Sequence, residues 1–122
     1  MAEELIRRYE NIQQEYDNAP KKYLENKAIV VEEMINFLTK NLSKIPEGPE
    51  GIYFEDPGNV SFTYRLRRNG ILTIETNGRI IDDYDFKKPE VKGGFSKGRP
   101  LIVKKLLEAY SRMIEEKGKV LK

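Results

Sequence analysis

The chain has 122 residues and contains neither Cys nor His, which withholds thiolate and imidazole nucleophiles, the usual zinc ligands and the one side chain that titrates near neutrality. Charged residues make up 34% of it, with 22 Lys/Arg against 20 Asp/Glu, and no apolar run approaches the ~20 residues of a membrane span. Length and composition point to one domain over 1–122, without disulfide, cofactor or metal, and the Met1-Ala2-Glu3-Glu4 start, lacking a signal peptide's basic and apolar segments, to a cytoplasmic protein.

Residues 3–17 place Leu5, Tyr9, Ile12 and Tyr16 at spacings of three and four, an amphipathic helix ended by Asn18-Ala19-Pro20. A second helix starts near Pro20 and runs to about Lys44. Its main stripe is Leu24, Ala28, Val31, Ile35, Leu38, Leu42 and Ile45, widened by Val30, Met34 and Phe37. So wide an apolar face must meet more than one neighbour. Pro46-Glu47-Gly48-Pro49 breaks the helical pattern.

From Gly51 the period changes to two. Ile52-Tyr53-Phe54 reads as a short strand, Asp56-Pro57-Gly58-Asn59 as a turn, and 60–67 as a strand alternating Val60, Phe62, Tyr64 and Leu66 with Ser61, Thr63, Arg65 and Arg67. Two Asn-Gly pairs signal hairpins at Asn69-Gly70 and Asn77-Gly78. A two-residue loop at the first would set Arg67 opposite Leu72. A three-residue loop with Gly70 left-handed sets Leu66 opposite Leu72, Tyr64 opposite Ile74 and Phe62 opposite Thr76, keeping apolar residues together. The same choice at Thr76-Asn77-Gly78 pairs Glu75 with Arg79 and Ile74 with Ile80. The meander 51–84 then has a core face of Val60, Phe62, Tyr64, Leu66, Leu72, Ile74 and Ile80. Its outer face carries Tyr53, Thr63, Arg65, Arg67, Thr73, Glu75, Arg79 and Ile81.

Residues 85–99 have no period and contain three Gly and one Pro, so they read as a long basic loop. Pro100 opens a closing helix over 100–117, with Ile102, Val103, Leu106, Leu107, Tyr110, Met113 and Ile114 on one face and Gly118 as its stop. The fold class expected is α+β: two N-terminal helices, a four-stranded antiparallel meander, and a C-terminal helix packed on one sheet face.

Charge is uneven, 7 Lys/Arg against 10 Asp/Glu in residues 1–50 and 15 against 10 in 51–122. The leading functional candidate is therefore a basic and aromatic strip: Arg65, Arg67, Arg68 and Arg79 on the sheet, Lys87, Lys88, Lys92, Lys97 and Arg99 in the loop, and Tyr53, Phe86 and Phe95 among them. A single nucleic-acid strand needs this combination, cations along its phosphates and flat side chains under its bases. The plainer reading is a solvated sheet face and a mobile loop anchored by its two Phe. Asp82, Asp83 and Asp85 with Glu75 make a poor site for a metal-dependent nuclease, because Asp82 and Asp83 would point to opposite strand faces. Gly93-Gly94-Phe95-Ser96-Lys97-Gly98-Arg99 lacks the spacing of a nucleotide-binding loop.

Together the helix order, the Tyr64-Arg65-Leu66-Arg67-Arg68-Asn69-Gly70 and Ile80-Ile81-Asp82-Asp83-Tyr84 segments, the basic loop and the closing helix resemble the archaeal ThermoDBP-related proteins. The resemblance implies an oligomer that holds single-stranded DNA or RNA in a cleft with aromatic residues at its base and basic residues at its rim; apolar surface to spare on the first and last helices, with Tyr9, Tyr16 and Tyr110, favours a homodimer or higher homo-oligomer. The sequence departs from the founding member in ending at Lys122 without a long leucine-zipper extension. The expectation is a non-catalytic single-strand binder. The rival is a protein-interaction or regulatory subunit that binds no nucleic acid.

Overall fold

The structure is a computed structural model; it describes residues 2–13, 20–56, 58 and 61–120, the side chains of 13, 20–24 and 118–120 excepted. Its helices are α1 (Ala2–Gln13), α2 (Pro20–Lys40, continued by a 3₁₀ turn at Leu42–Lys44), α3 (Pro89–Gly98) and α4 (Pro100–Val120). Strands β1 (Ile52–Glu55), β2 (Phe62–Leu66), β3 (Ile71–Thr76) and β4 (Arg79–Asp85) form one antiparallel sheet in the order β1-β2-β3-β4. The fold class is α+β, as expected. Tyr16 and the Asn18-Ala19 break lie outside the described residues, as do Val60 and part of the Asp56–Asn59 turn.

One apolar cluster joins every layer. Val31, Met34, Ile35 and Leu38 on α2 are fully buried, and α2 packs against α1, α3 and α4, which accounts for the width of its stripe. Helix α4 lies over β1 and β2, burying Val103, Leu106, Leu107 and Tyr110. The Tyr110 ring meets Phe37 edge-on at 5.5 Å. Among the described residues no helix is long and apolar enough to cross a membrane.

The first hairpin has the expected register, with Leu66 opposite Leu72, Tyr64 opposite Ile74 and Phe62 opposite Thr76, and Gly70 at φ +85°. The second does not. Thr76 pairs with Arg79, so Asn77 and Gly78 alone make the loop, with φ of +52° and +77°, the pair of left-handed residues a type I′ turn demands. A bulge follows: Glu75 faces Ile80 while Ile74 faces Asp82, leaving Ile81 as the extra residue. Without that bulge the two-residue loop would bring Asp83 opposite Leu72; with it, Tyr84 takes that core position. Two expectations fall with the register. Ile80, assigned to the core, is 58% exposed, and Arg79, paired with Thr76, shares the face of Phe62 rather than that of Arg65.

The expected 85–99 loop is in its larger part a helix. Pro89 opens α3 at a first-turn position, and Val91 and Phe95, one turn apart, pack onto the core. Phe95 stacks edge-on with Phe86 at 5.1 Å and with Tyr84 at 5.0 Å. Gly93, Gly94 and Gly98 face open space. Each glycine costs about 1 kcal/mol relative to Ala in a helix, while burying Phe95 contributes about 1.5–3 kcal/mol. The glycines together cost about as much as Phe95 returns, so the helix depends on tertiary anchoring at Phe95 with Val91 packed beside it. Helix α4 also runs past Gly118, to Val120.

Gly93→Ala and Gly94→Ala should each raise stability by about 0.5–1 kcal/mol in chemical denaturation. Gly51→Ala should do the reverse, losing more than about 2 kcal/mol, because a Cβ there would stand 2.2 Å from the Leu66 carbonyl oxygen at φ +56°.

Candidate functional site

Residues 46–51 link the helical half to the sheet without regular structure, and their carbonyls need donors. Three arginines supply them. Arg68 Nε donates to the Ile45 carbonyl at 2.8 Å, Arg67 Nε to that of Pro49 at 3.1 Å, and Arg65 Nη1 to that of Glu50 at 2.6 Å. On the sheet, Glu75 Oε2 accepts from Arg65 Nε at 2.9 Å and from the Thr73 hydroxyl at 2.9 Å, with Arg67 Nη2 at 3.7 Å. The Thr73 hydroxyl in turn accepts from Arg67 Nη1 at 2.8 Å. Arg68 Nη1 pairs with Glu47 at 2.8 Å. Three of the arginines expected to meet phosphates, Arg65, Arg67 and Arg68, are thus committed to the protein's own carbonyls and carboxylates.

The rest of the expected strip is dispersed. Phe86 and Phe95 are 0% and 3% exposed, so neither has a face for a base; both are core, and the expectation that they stack on nucleic acid is corrected. Tyr53 is half exposed on the outer face, with the Arg65 guanidinium 4.7 Å from its ring centroid. Lys92 donates to Asn36 Oδ1 at 3.0 Å. Lys87, Lys88, Lys97, Arg79 and Arg99 are exposed. Arg99 lies 5.5 Å from the Tyr84 ring and 5.6 Å from that of Phe95, while Arg79 sits at the β3–β4 turn, on the opposite edge of the sheet from Tyr53. Cross-strand pairing also places Asp83 opposite Thr73 and Asp85 opposite Ile71, so acidic groups stand beside the arginines on the outer face. The alternation of strand residues foretold neither the bulge nor this acidic border.

What the fold does build is a groove of about 700 Å³ between edge strand β1 and α4. Ile52 and Phe54 form one side; Ala109 and Met113, with Lys105 and Arg112, form the other. Phe54 is held by stacking on Tyr64 at 5.0 Å. In the sequence Lys105, Ala109, Arg112 and Met113 are one more helical stripe, and nothing local says that a sheet edge runs alongside.

A smaller polar cluster closes the far end of the core face. The Tyr84 hydroxyl donates to Asp82 Oδ2 at 2.6 Å, and that bond, with burial second, holds the Tyr84 phenol above its ordinary range. Burial and then the Asp56 charge raise Tyr64, opposed by Arg99. Burial alone raises Tyr110. No family model, no curated protein and no solved structure matches this chain.

Glu75→Ala should cost about 1.5–3 kcal/mol in denaturant unfolding, the range for a lost hydrogen bond to a charged group, because two guanidiniums and Thr73 lose a shared acceptor. The raised phenols set the alkaline limit: the folded state holds these protons more tightly than the unfolded chain. Their contribution is whole below the ordinary tyrosine pKa of about 10 and lost as pH climbs through the higher folded values. Absorbance titration should show Tyr84 ionising late in the native protein and earlier in Asp82→Asn.

Proposed function

We propose that this chain is a non-catalytic protein-interaction module whose contact site is the groove between β1 and α4. One observation carries the reading: a groove opens beside a sheet edge, whereas Arg65, Arg67, Arg68, Phe86 and Phe95 of the basic strip are used internally. The groove lining sets the apolar Ile52, Phe54, Ala109 and Met113 among charged side chains of both signs, the mixed composition of a polypeptide contact. The groove holds no His or Cys, and Lys105 and Arg112 have no ion-pair partner among the described residues that would orient them for proton transfer.

A second reading, binding of single-stranded DNA or RNA, rests on the exposed cations Arg79, Lys87, Lys88, Lys97 and Arg99, on Tyr53, and on the family resemblance. Its cations stand at the two ends of β4, with Asp82, Asp83 and Asp85 between them, and on α3, while Tyr53 lies at the opposite edge of the sheet, so a strand would neutralise few of them at once. A homodimer or higher assembly would cover Ile80 and Ile81, and sedimentation equilibrium reads it directly. A cytoplasmic setting suits either partner.

Titration with oligo-dT and oligo-U at low salt decides between the two readings. The protein-interaction reading expects weak binding abolished by modest salt and partner capture from lysate that survives nuclease. Tight oligonucleotide binding with a log–log salt slope of several units, about 0.7 per phosphate contact, would establish the second reading in its place.

A further inference from the structure

The two edges of the sheet are treated differently. Asp56 N donates to the Phe62 carbonyl, so in the alternating ladder of an antiparallel pair Phe54–Tyr64 and Ile52–Leu66 are the hydrogen-bonded pairs. Tyr53 and Glu55 therefore turn their main-chain N–H and C=O away from β2, along the side where the groove opens. At the other edge, Phe86 N donates to the Gly70 carbonyl, which makes Tyr84 and Asp82 the hydrogen-bonded residues of β4 and turns Asp83 outward. That outward amide is already taken, by Asp82 Oδ1 at 3.0 Å. The bulge at Ile80-Ile81 and the carboxylates of Asp82, Asp83 and Asp85 complete a guarded edge. Among the described residues edge β1 has neither bulge nor cap, and at Gly51, at its start, the Leu66 carbonyl stands too close for a Cβ.

We infer that β1 takes up an extended, acidic segment of a partner protein as a fifth strand, with an apolar side chain turned into the groove against Ala109 and Met113. This rests on the protein-interaction reading and names its partner. Size favours a short segment over a second folded copy: four residues of β1 give a docking line of about 14 Å, and a stable interface between folded proteins needs about 800 Å² from each partner. Charge selects the segment. Of the three carboxylates that also line the groove, Glu108 is drawn to Lys104, 3.6 Å away, and Glu55 alternates with Tyr53 onto the outer face of β1; Glu116 remains against Lys105 and Arg112, which lie two helical turns or about 10.5 Å apart with no ion pair among the described residues. These two cations would face carboxylates on the incoming strand. Main-chain bonds to Tyr53 and Glu55 supply register, and alternate side chains supply selectivity.

The test uses the full chain and four acetylated heptapeptides: alternating Val/Glu, alternating Val/Lys, a scrambled Val/Glu sequence, and Val/Glu N-methylated at alternate residues on the pairing edge. Amide shifts in the protein locate binding and give affinities. The Val/Glu peptide should shift Tyr53 and Glu55 and bind at least tenfold more tightly than its N-methylated form and at least fivefold more tightly than Val/Lys; Arg112→Glu should reverse the charge preference. Tyr53→Pro deletes an outward N–H without touching the β2 ladder, and should weaken binding at least tenfold while circular dichroism stays unchanged. Equal binding of the N-methylated peptide in the groove would overturn strand addition and leave the protein-interaction reading standing. Self-association abolished by Tyr53→Pro would assign the edge to a second copy instead. If no peptide binds at millimolar concentration while oligo-dT binds tightly, the underlying reading falls with it.

Discussion

The Glu75 carboxylate between Arg65 and Arg67 is the contact on which the sheet's outer face depends. Among the described residues no helix packs on that face, so its charges are neutralised within the layer. Glu75 and Thr73 do this for two guanidiniums, which then have donors to spare for the connector between helices and sheet. Side-chain exposures of 16–22% for Glu75, Arg65 and Arg67 put the network between solvent and core, where an ion pair is worth more than at a free surface and less desolvated than in an interior. Once the arginines are so used, the connector is fixed, and β1 is delivered to the edge of the sheet beside α4.

The opposite side of the molecule is held by aromatic anchoring. Phe86, Phe95 and Tyr84 form a continuous edge-to-face set that pulls a glycine-rich helix onto the core. Such a helix sits at the low end of the local stability range. Given the two-residue loop, the anchoring depends on the β-bulge, because without the displaced register Asp83 rather than Tyr84 would turn inward toward Phe95. Turn, bulge and helix are thus one linked device, and the exposed Ile80 and Ile81 are its by-product.

The contrast between the sheet edges follows from these two arrangements. Bulge and aspartates guard β4, while β1, brought in by the arginine-bound connector, remains with outward main-chain groups and a groove at its flank. An open edge is an aggregation hazard unless short or covered; β1 has four residues, which limits the hazard and sets the scale of what can dock there.

Much of the fold was legible in the amino-acid sequence. Apolar periodicity placed α1, α2 and α4; the Arg68-Asn69-Gly70 turn fixed the β2–β3 register, because a two-residue loop would have mixed charge with core. These features are local, set by spacing and by which residues tolerate positive φ. The second hairpin was not legible, since a three-residue loop and a two-residue loop with a bulge both turn Tyr84 to the core face, and what separates them is whether Tyr84 stands opposite Leu72, where it meets Phe95, eleven residues further on. Nor was α3, whose glycines argue against a helix until its Phe is given a core to enter. Likewise the sequence by itself showed how many cations the second half carries, but not that Arg65, Arg67 and Arg68 would be consumed by carbonyls and carboxylates, because a guanidinium's partner is decided by contacts across 6–23 residues of chain. Only the tertiary structure could bring an edge strand beside Ala109 and Met113, since a groove is a property of two elements at a distance and neither records it alone.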